Sequence, residues 1–216
     1  LAARARSTGA SIRLSERVES VTDDGDGVTV ETDAETIDAD ALVVATDPKE
    51  AKRLTDVAEI PTDARGCVTQ HYRLPDDVAP TTRRKLLLNA GDPSPNTVVP
   101  MSEVAPEYAP DGEALLNATF LGDAALDRDA GALADETRLT LESWYPDRDF
   151  ADLDPVRTQR IEFAQFDQPP GVHDTLPDHR APGGRTYLAG DYTAWSSIQG
   201  AMRSGREVAR AVEWDF

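Results

Sequence analysis

The sequence predicts a protein of the α/β class with α+β character, in which two parts of one α/β domain enclose a β-rich insertion. Two short apolar runs, ALVVAT (41–46) and TYLAG (186–190), have the composition of strands in the interior of a sheet. A stretch with helical spacing of apolar residues follows TYLAG. Between the two runs, residues 61–182 are rich in prolines and strand-like segments. We therefore expect the insertion to be mainly β.

The amino-terminal part predicts a helix, a β-hairpin, a buried strand and a second helix. These elements are residues 1–8, 10–21 with 28–32, 41–46 and 49–54. Gly9 suits the end of the first helix, and the turn DDGDG lies between two alternating apolar–polar segments. The run 41–46 is continuously apolar, which favours a strand buried on both faces.

The insertion predicts several strands and one helix. Strand-like runs occupy residues 67–74, 85–90, 96–101, 114–121 and 158–166. The helix is predicted from Asp129 to Trp144, because Leu133, Thr137 and Leu141 recur at helical spacing.

The closing segment predicts a strand, a short loop and a helix. Ser196 suits the N-cap, and Gln199 three residues later completes a capping-box pattern. One continuous apolar or small face is expected from Ile198, Ala201, Met202, Gly205, Val208, Ala209 and Val212. The amino terminus of such a helix can bind an anionic ligand group, but strand–turn–helix units also serve packing alone. Both interpretations stay open from the pattern by itself.

The charge balance argues against nucleic acid as a partner. There are 40 acidic and 22 basic residues, and the formal net charge is −18. Such a surface repels nucleic acid and anionic membranes. The acids are scattered and lysine is rare, a composition that resembles proteins from extreme halophiles.

Cysteine and histidine usage gives two further expectations. The single Cys67 excludes an internal disulfide, which fits the cytoplasm, where we expect this protein. The spacing of His71, His173 and His179 does not suggest a metal site. No apolar run has the length of a membrane span.

The segment LAGDYTAWSSIQGAMRSGREVA (188–209) resembles the flavin-facing strand–turn–helix of the flavin-containing amine oxidase and phytoene desaturase superfamily. The likeness implies the C-terminal half of a glutathione-reductase-like FAD domain, interrupted by a β-rich substrate domain. Residues 1–54 and 183–216 would then belong to the FAD-binding domain, and residues 55–182 to the substrate-binding domain.

The resemblance also implies cofactor contacts. Gly190 and Asp191 would face the ribityl chain of FAD, and the backbone N–H of Ile198 would meet the flavin C2 oxygen. The residues that would line the same edge are Ser197, Gln199 and Ala201.

A second stretch, GASIRLSERVESV with VTVET and ALVVATDP, resembles the middle section of the same superfamily. There the backbone of Val18 would bracket the adenine, and Ala45 and Thr46 would pass close to the cofactor. Val18 is equally compatible with an ordinary core strand.

The dinucleotide fingerprint G-x-G-x-x-G does not occur in the sequence. In the superfamily it precedes the region that this chain resembles. The chain also begins without methionine, inside a helix-like stretch. We therefore expect a fragment whose FAD site is incomplete and does not hold FAD alone, and whose partner is the upstream dinucleotide-binding half of the same protein.

The resemblance implies hydride transfer to flavin from an apolar, isoprenoid-like substrate or from an amine. The stretch 163–177 has no tryptophan and no lysine follows Lys85, which favours the phytoene desaturase and protoporphyrinogen oxidase branch. No catalytic acid or base is predicted. The alternative is a non-catalytic relative or subunit that uses the same fold for binding. A homo-oligomer is compatible with the sequence.

Overall fold

The computed structural model describes residues 1–91 and 95–216, which form two compact units. The first unit combines residues 1–62 with 168–216, and the second consists of residues 63–167. The predicted domains end at residues 54 and 182, whereas these compact units end at residues 62 and 167. The functional roles given to the domains stay predictions.

The first unit contains three α-helices and five strands. Its helices are α1 (Ala2–Ser7), α2 (Pro48–Thr55) and α5 (Ile198–Asp215), and its strands are β1 (Val18–Asp23), β2 (Val28–Thr32), β3 (Thr36–Ala39), β4 (Leu42–Val44) and β10 (Thr186–Leu188). These five strands form two separate sheets.

Strands β1, β2 and β3 form an antiparallel sheet in that order. The predicted hairpin is confirmed, since Val21 of β1 pairs with Val30 of β2. The first strand begins only at Val18, although the alternating pattern predicted a strand from residue 10. In this structure Leu14 is 80% exposed, so the alternation in residues 10–17 does not mark a buried face. Strand β3 was not predicted, because TIDA is short and flanked by acidic residues.

Strands β4 and β10 form a two-stranded parallel sheet in which Val44 pairs with Leu188. The prediction that residues 41–46 are a strand buried on both faces is wrong in two respects. The strand covers only Leu42–Val44, and Val43 is 41% exposed. The physical reason is that β4 belongs to a sheet of only two strands among the described residues, so its other edge is unpaired and the face that carries Val43 is not covered.

Helix α5 packs against β10 through Val208 and Ala211, which contact Tyr187 and Ala189. The predicted continuous face is only partly buried, because Ile198 is 79% exposed and Met202 is 70% exposed. The buried positions follow a different stripe, which consists of Gly200, Ser204, Val208 and Ala211. Small residues on that stripe let the helix approach the strand closely.

The second unit is a five-stranded antiparallel sheet with the order β6-β7-β8-β5-β9. Its strands are β5 (Ala64–Pro75), β6 (Leu87–Leu88), β7 (Thr97–Pro100), β8 (Glu113–Leu121) and β9 (Asp154–Phe166), and its helices are α3 (Met101–Val104) and α4 (Ala130–Trp144). The predicted helix 129–144 is confirmed, with Asp129 as its N-cap. The strand predicted for residues 85–90 is confined to two residues.

The core of the second unit lies between this sheet and α4. Leu116 and Phe120 of β8 alternate with exposed or half-buried neighbours, and they share one cluster with Leu133 and Leu141 of α4. This is the pattern expected of an antiparallel sheet that buries one face. Among the described residues, no helix is long and apolar enough to cross a membrane.

Candidate functional site

The carboxyl ends of β4 and β10 meet at one edge of the parallel sheet, because their residues pair in register. Ala45 and Thr46 follow β4 and are exposed, whereas Gly190 and Asp191 follow β10 and are half-buried. The structure therefore brings these four predicted site residues to the same edge. Ligands of open α/β sheets bind outside the carboxyl ends of the strands.

Ser204 links α5 to this edge through hydrogen bonds. Its side chain is almost fully buried, and its hydroxyl accepts a hydrogen bond from the N–H of Gly190 at 2.8 Å. The same hydroxyl donates to the carbonyl of Ala201 at 2.9 Å. The first turns of α5 are consequently held beside the end of β10. In the sequence Ser204 stands out only as a small residue, and no local pattern indicates that it bonds Gly190, 14 positions earlier.

The N-cap of α5 is Ser197, so the prediction of Ser196 and its capping box with Gln199 is wrong. The Ser197 hydroxyl accepts from the N–H of Gly200 at 3.0 Å. Ser196 instead donates to the Asp191 carboxylate at 3.3 Å and accepts from the Gln168 amide at 3.1 Å. Both serines are good caps, and these contacts decide between them.

The first turn of α5 presents free donors beside Asp191. The N–H of Gly200 is taken by Ser197, and the N–H of Ala201 bonds the Ser197 carbonyl. The N–H groups of Ile198 and Gln199 have no hydrogen-bond partner within the described part of the chain. These are the donors that a helix leaves unsatisfied at its amino terminus.

The predicted side chains of this turn are open to solvent. Ile198, Gln199 and Ala201 are all exposed, and Ser197 is half-buried. The structure thus places a hydrogen-bond acceptor, backbone donors and an apolar surface next to one another. A ligand with a polar edge and a flat apolar body matches this combination.

Two glycines allow the backbone to fold this tightly. A Cβ at Gly190 would overlap the ring of Tyr192, and a Cβ at Gly200 would overlap the carbonyl group of Trp195. A side chain at either position would displace the loop that joins β10 to α5. The loop geometry therefore depends on both residues.

Tyr192 is fully buried at this edge, yet its hydroxyl has no hydrogen-bond partner among residues 1–91 and 95–216. Burial raises the pKa of Tyr192, and the nearby carboxylates of Asp191 and Asp47 raise it further. The hydroxyl accordingly stays protonated and remains a donor. A buried donor without an acceptor is costly and indicates that the site is completed by another group.

His173 and Trp195 were not predicted as site residues. The His173 ring stacks on the Trp195 indole, with ring centroids 4.2 Å apart and an angle of 18° between the planes. The Nε2 atom of His173 is buried without a partner in the described ranges. The contact joins a turn at Val172–Asp174 to the loop before α5, so neither residue alone signals it.

Val18 lies apart from the other predicted residues, in the β1-β2-β3 sheet. Its side chain is half-buried, and its carbonyl accepts from the Arg53 guanidinium at 2.8 Å. Arg53 also donates to the carbonyl of Glu19 at 2.7 Å, which ties α2 to β1. The described residues contain no cluster of three or more His, Cys, Asp or Glu side chains that could hold a metal ion.

The residues at the carboxyl edge fit one end of a flavin nucleotide. The free N–H groups of Ile198 and Gln199 suit a carbonyl edge that becomes negative on reduction. The Asp191 carboxylate can accept from the hydroxyls of a sugar-alcohol chain. The unpartnered Tyr192 hydroxyl adds an observation of this structure that calls for a further polar group.

Solved structures share this fold. A candidate protoporphyrinogen oxidase from Exiguobacterium sp. 255-15 aligns with a TM-score of 0.70 and 14% identity, over 95% of this chain and 48% of its own. An oxidoreductase from Methanosarcina mazei aligns with a TM-score of 0.67 and 16% identity, over 95% and 51%. Putrescine oxidase, in a structure bound to putrescine, aligns with a TM-score of 0.69 and 18% identity, over 96% and 50%.

This chain therefore spans about half the length of the solved structures that it matches. No curated protein sequence matches it at a significant level. The family described as flavin containing amine oxidoreductase matches residues 1–213. This match over nearly the whole chain shows that the protein belongs to the flavin containing amine oxidoreductase family.

Proposed function

We propose that this chain is part of an FAD-dependent oxidoreductase that oxidises a C–C or C–N bond of a small, largely apolar substrate. The observation that carries the proposal is the pair of free N–H groups at Ile198 and Gln199 beside the Asp191 carboxylate. When bound there, FAD supplies the hydride acceptor. The N–H groups would hold the pyrimidine edge of the flavin, and Asp191 would hold the ribityl hydroxyls.

The remaining predicted residues would complete the same site. Gly190 admits a close approach of the cofactor to the end of β10, and Ala45 and Thr46 lie at the neighbouring strand end. Val18 would contact the adenine through its backbone. In this proposal residues 1–54 and 183–216 belong to a glutathione-reductase-like FAD domain, and residues 55–182 form the substrate domain.

The pyrophosphate of FAD requires a glycine-rich loop that this sequence does not contain. We propose that an upstream dinucleotide-binding half of the same protein supplies it. The unpaired edge of β4, the exposed Val43 and the exposed side chains of α5 are available to such a half. The 216-residue chain would then bind FAD weakly or not at all.

The second candidate is a non-catalytic relative that uses the fold for binding. The lack of a G-x-G-x-x-G loop in this sequence is the observation that favours it. The two candidates differ in whether the complete reading frame encodes a glycine-rich βαβ unit before Leu1. Only the enzyme requires one.

The test compares FAD binding by the 216-residue chain and by the product of the complete reading frame. We expect the complete protein to purify with stoichiometric flavin, and the 216-residue chain to give no flavin fluorescence quenching and no melting shift with FAD. In the complete protein, Asp191→Ala should lower FAD occupancy, whereas Asp178→Ala, at an exposed position outside this edge, should not. A flavin-free complete protein would contradict the enzyme proposal, and tight binding by the 216-residue chain would contradict the incomplete site.

A further inference from the structure

The second unit carries the one run of three consecutive basic residues in the sequence, Arg83, Arg84 and Lys85. Because the chain has 40 acidic residues and only 22 basic ones, such a run stands out from the composition. All three residues are exposed, and none of their side chains forms a hydrogen bond or an ion pair within the part of the chain that the structure describes. Their charges are therefore available to an external anionic group.

The backbone of this run is held in an uncommon conformation. Arg83 and Arg84 have φ angles of 57° and 62°, in the left-handed region that costs free energy for residues other than glycine. The half-buried carboxylate of Glu103 accepts from the N–H of Thr82 at 2.8 Å and from the N–H of Arg83 at 2.7 Å. Helix α3 thus fixes the loop that presents the three cations.

Two exposed leucines follow the basic run directly. Leu86 is 51% exposed and Leu88 is 74% exposed, whereas Leu87 between them packs against the core of the second unit. Because strand residues alternate between faces, the inward position of Leu87 turns both neighbours outward. Polar residues would serve a solvated face equally well, so the fold of this unit does not require leucine at either position.

The carboxylates near the run are few. The sequence has no acidic residue from 78 to 91, and the segment 101–108 that follows β7 contains Glu103, which holds the loop, and Glu107, which is exposed. The exposed charges of these two segments are therefore three positive and one negative. The net charge of −18 repels an anionic surface, but the screening length is about 8 Å at physiological ionic strength. Within that distance the local positive charge dominates.

We propose that residues 83–88, which we call the basic–apolar tip, dock on the anionic headgroup layer of a lipid membrane. The three cations pair with lipid phosphates, and Leu86 and Leu88 enter the boundary between headgroups and acyl chains. A stable protein–protein interface takes about 20–30 residues from each partner, far more than this tip offers. Nucleic acid would gain from the cations but not from the leucines. This inference does not depend on the proposed function.

The experiment measures sedimentation of the product of the complete reading frame with lipid vesicles. The vesicles are pure phosphatidylcholine, or phosphatidylcholine with about 30% phosphatidylglycerol as the anionic lipid. One variant removes the charges and one removes the leucines: Arg83→Asn/Arg84→Asn/Lys85→Gln and Leu86→Ser/Leu88→Ser.

Each variant has a matched control elsewhere on the surface. Arg4→Gln/Arg6→Gln/Arg157→Gln changes the net charge by the same amount, because these arginines are exposed and have no ion pair among the described residues. Leu139→Ser changes a leucine that is 57% exposed on α4. The substituted side chains are exposed, so the melting temperatures of all variants should stay close to that of the wild type.

We expect the wild type to sediment with the anionic vesicles and not with pure phosphatidylcholine. The charge variant should lower the partition coefficient by at least about tenfold, since each basic residue near the surface contributes to binding. The leucine variant should also lower it, by at least about fivefold. Both controls should bind like the wild type.

A polarity-sensitive dye tests whether the leucine positions enter the lipid. The dye is attached to Leu88→Cys or, as the control, to Leu139→Cys; the natural Cys67 is buried. Its emission should shift to the blue on anionic vesicles at position 88 and stay unchanged at position 139.

Three results would overturn the inference. They are no binding of the wild type to anionic vesicles, equal losses in the charge variant and its control, and an unchanged dye emission at position 88 in bound protein. Poly-glutamate is the additional probe for an acidic protein partner. Binding of the wild type to poly-glutamate without binding to vesicles would assign the tip to such a partner and reject the membrane.

Discussion

The carboxylate of Asp23 accepts a hydrogen bond from the backbone N–H of Arg185 at 2.7 Å, although the two residues are 162 positions apart in the chain. The same carboxylate accepts from the hydroxyl of Thr186 at 2.9 Å and from the N–H of Gly25 at 3.0 Å. A Cβ at Gly184 would come within 2.6 Å of it. The end of the β1 strand is therefore joined to the beginning of β10.

Replacing Asp23 should loosen this junction. Asp23→Ala removes the acceptor of several hydrogen bonds, and charge-assisted bonds of this type contribute about 2 kcal/mol to stability. We expect urea unfolding to shift to lower concentration by a corresponding amount. Asp26→Ala, at an exposed position in the same turn, is the control and should change little. An equal effect of both changes would show that the loss comes from the turn and not from the junction.

The contribution of Asp23 should also depend on pH. Burial acts to raise the pKa of this carboxyl, but hydrogen bonds from Arg185, Gly25 and Thr186 outweigh burial and hold the pKa below its usual value. A lowered pKa in the folded state stabilises the protein above the ordinary aspartate value of about 3.9, and this stabilisation is lost as the pH falls further. The difference in unfolding free energy between the wild type and Asp23→Ala should therefore shrink below about pH 4. A difference that stays constant down to pH 2 would contradict the assigned role.

Local patterns were sufficient to predict the elements whose partners are close in the chain or repeat regularly. Residues of β8 alternate between a buried and an open face, and the α4 residues Leu133 and Leu141 recur at helical spacing. The turn residues DDGDG predict the hairpin of β1 and β2. Such elements follow from the period of the apolar residues alone.

Contacts between distant segments could not be predicted in this way. The face of α5 predicted to be buried was wrong, because the prediction followed the largest side chains. The side of the helix that faces β10 instead carries Ser204, which bonds the N–H of Gly190. The stack of His173 on Trp195 joins a turn that precedes β10 in the sequence to a loop that follows β10. Ser196 and Ser197 are chemically equal as caps, and Asp191 and Gln168 select between them.

The buried hydroxyl of Ser204 offers a direct test of how α5 is attached. Ser204→Ala leaves the Gly190 N–H without its acceptor, which should cost about 1–3 kcal/mol. The control is Ser143→Ala, since Ser143 is exposed on α4 and its hydroxyl donates to the carbonyl of Thr140 in the preceding turn. Chemical denaturation of both variants measures the difference. Equal stabilities of the two variants would show that the Ser204 bond does not hold the helix.

Replacing either of two glycines of α5 by alanine should change stability in opposite directions. Gly200→Ala should destabilise the chain by about 1–3 kcal/mol, because the new methyl group overlaps the Trp195 carbonyl. Gly205→Ala should stabilise it by about 0.5–1 kcal/mol, because Gly205 is exposed, no described atom beyond the local helix backbone lies within 4 Å of the new Cβ, and alanine favours helix. Thermal melting followed by circular dichroism measures both. The same sign for both changes would contradict the packing described at Gly200.

A buried polar network holds α4 on the sheet of the second unit. Tyr72 is fully buried and donates to the Gln70 side chain, and its hydroxyl oxygen lies 2.9 Å from that of Thr137 on α4. Gln70 in turn donates to the carbonyl of Ala130 and to the Thr158 hydroxyl, each at 2.9 Å. All members of such a network depend on one another.

Tyr72→Phe should therefore destabilise the second unit, because it leaves the Gln70 carbonyl oxygen buried without its donor. The expected loss is about 1–3 kcal/mol. Tyr108→Phe is the control, since Tyr108 is 57% exposed. Urea unfolding at pH 7 measures the two changes, and a loss of equal size in both variants would argue against the network.

The same tyrosine should give the wild type a distinct response to alkaline pH. Burial is the main cause that raises the pKa of Tyr72 to about 12, and the Glu136 carboxylate adds to it, while the contact with Thr137 acts to lower it. In the unfolded chain the phenol ionises near pH 10, so the unfolded state loses its proton first. The contribution of Tyr72 to stability is complete below about pH 10 and is lost as the pH rises toward 12. The stability difference between the wild type and Tyr72→Phe, measured by urea unfolding at fixed pH values, should shrink across that window, and a difference that grows with pH would place the hydroxyl in an environment unlike the one described.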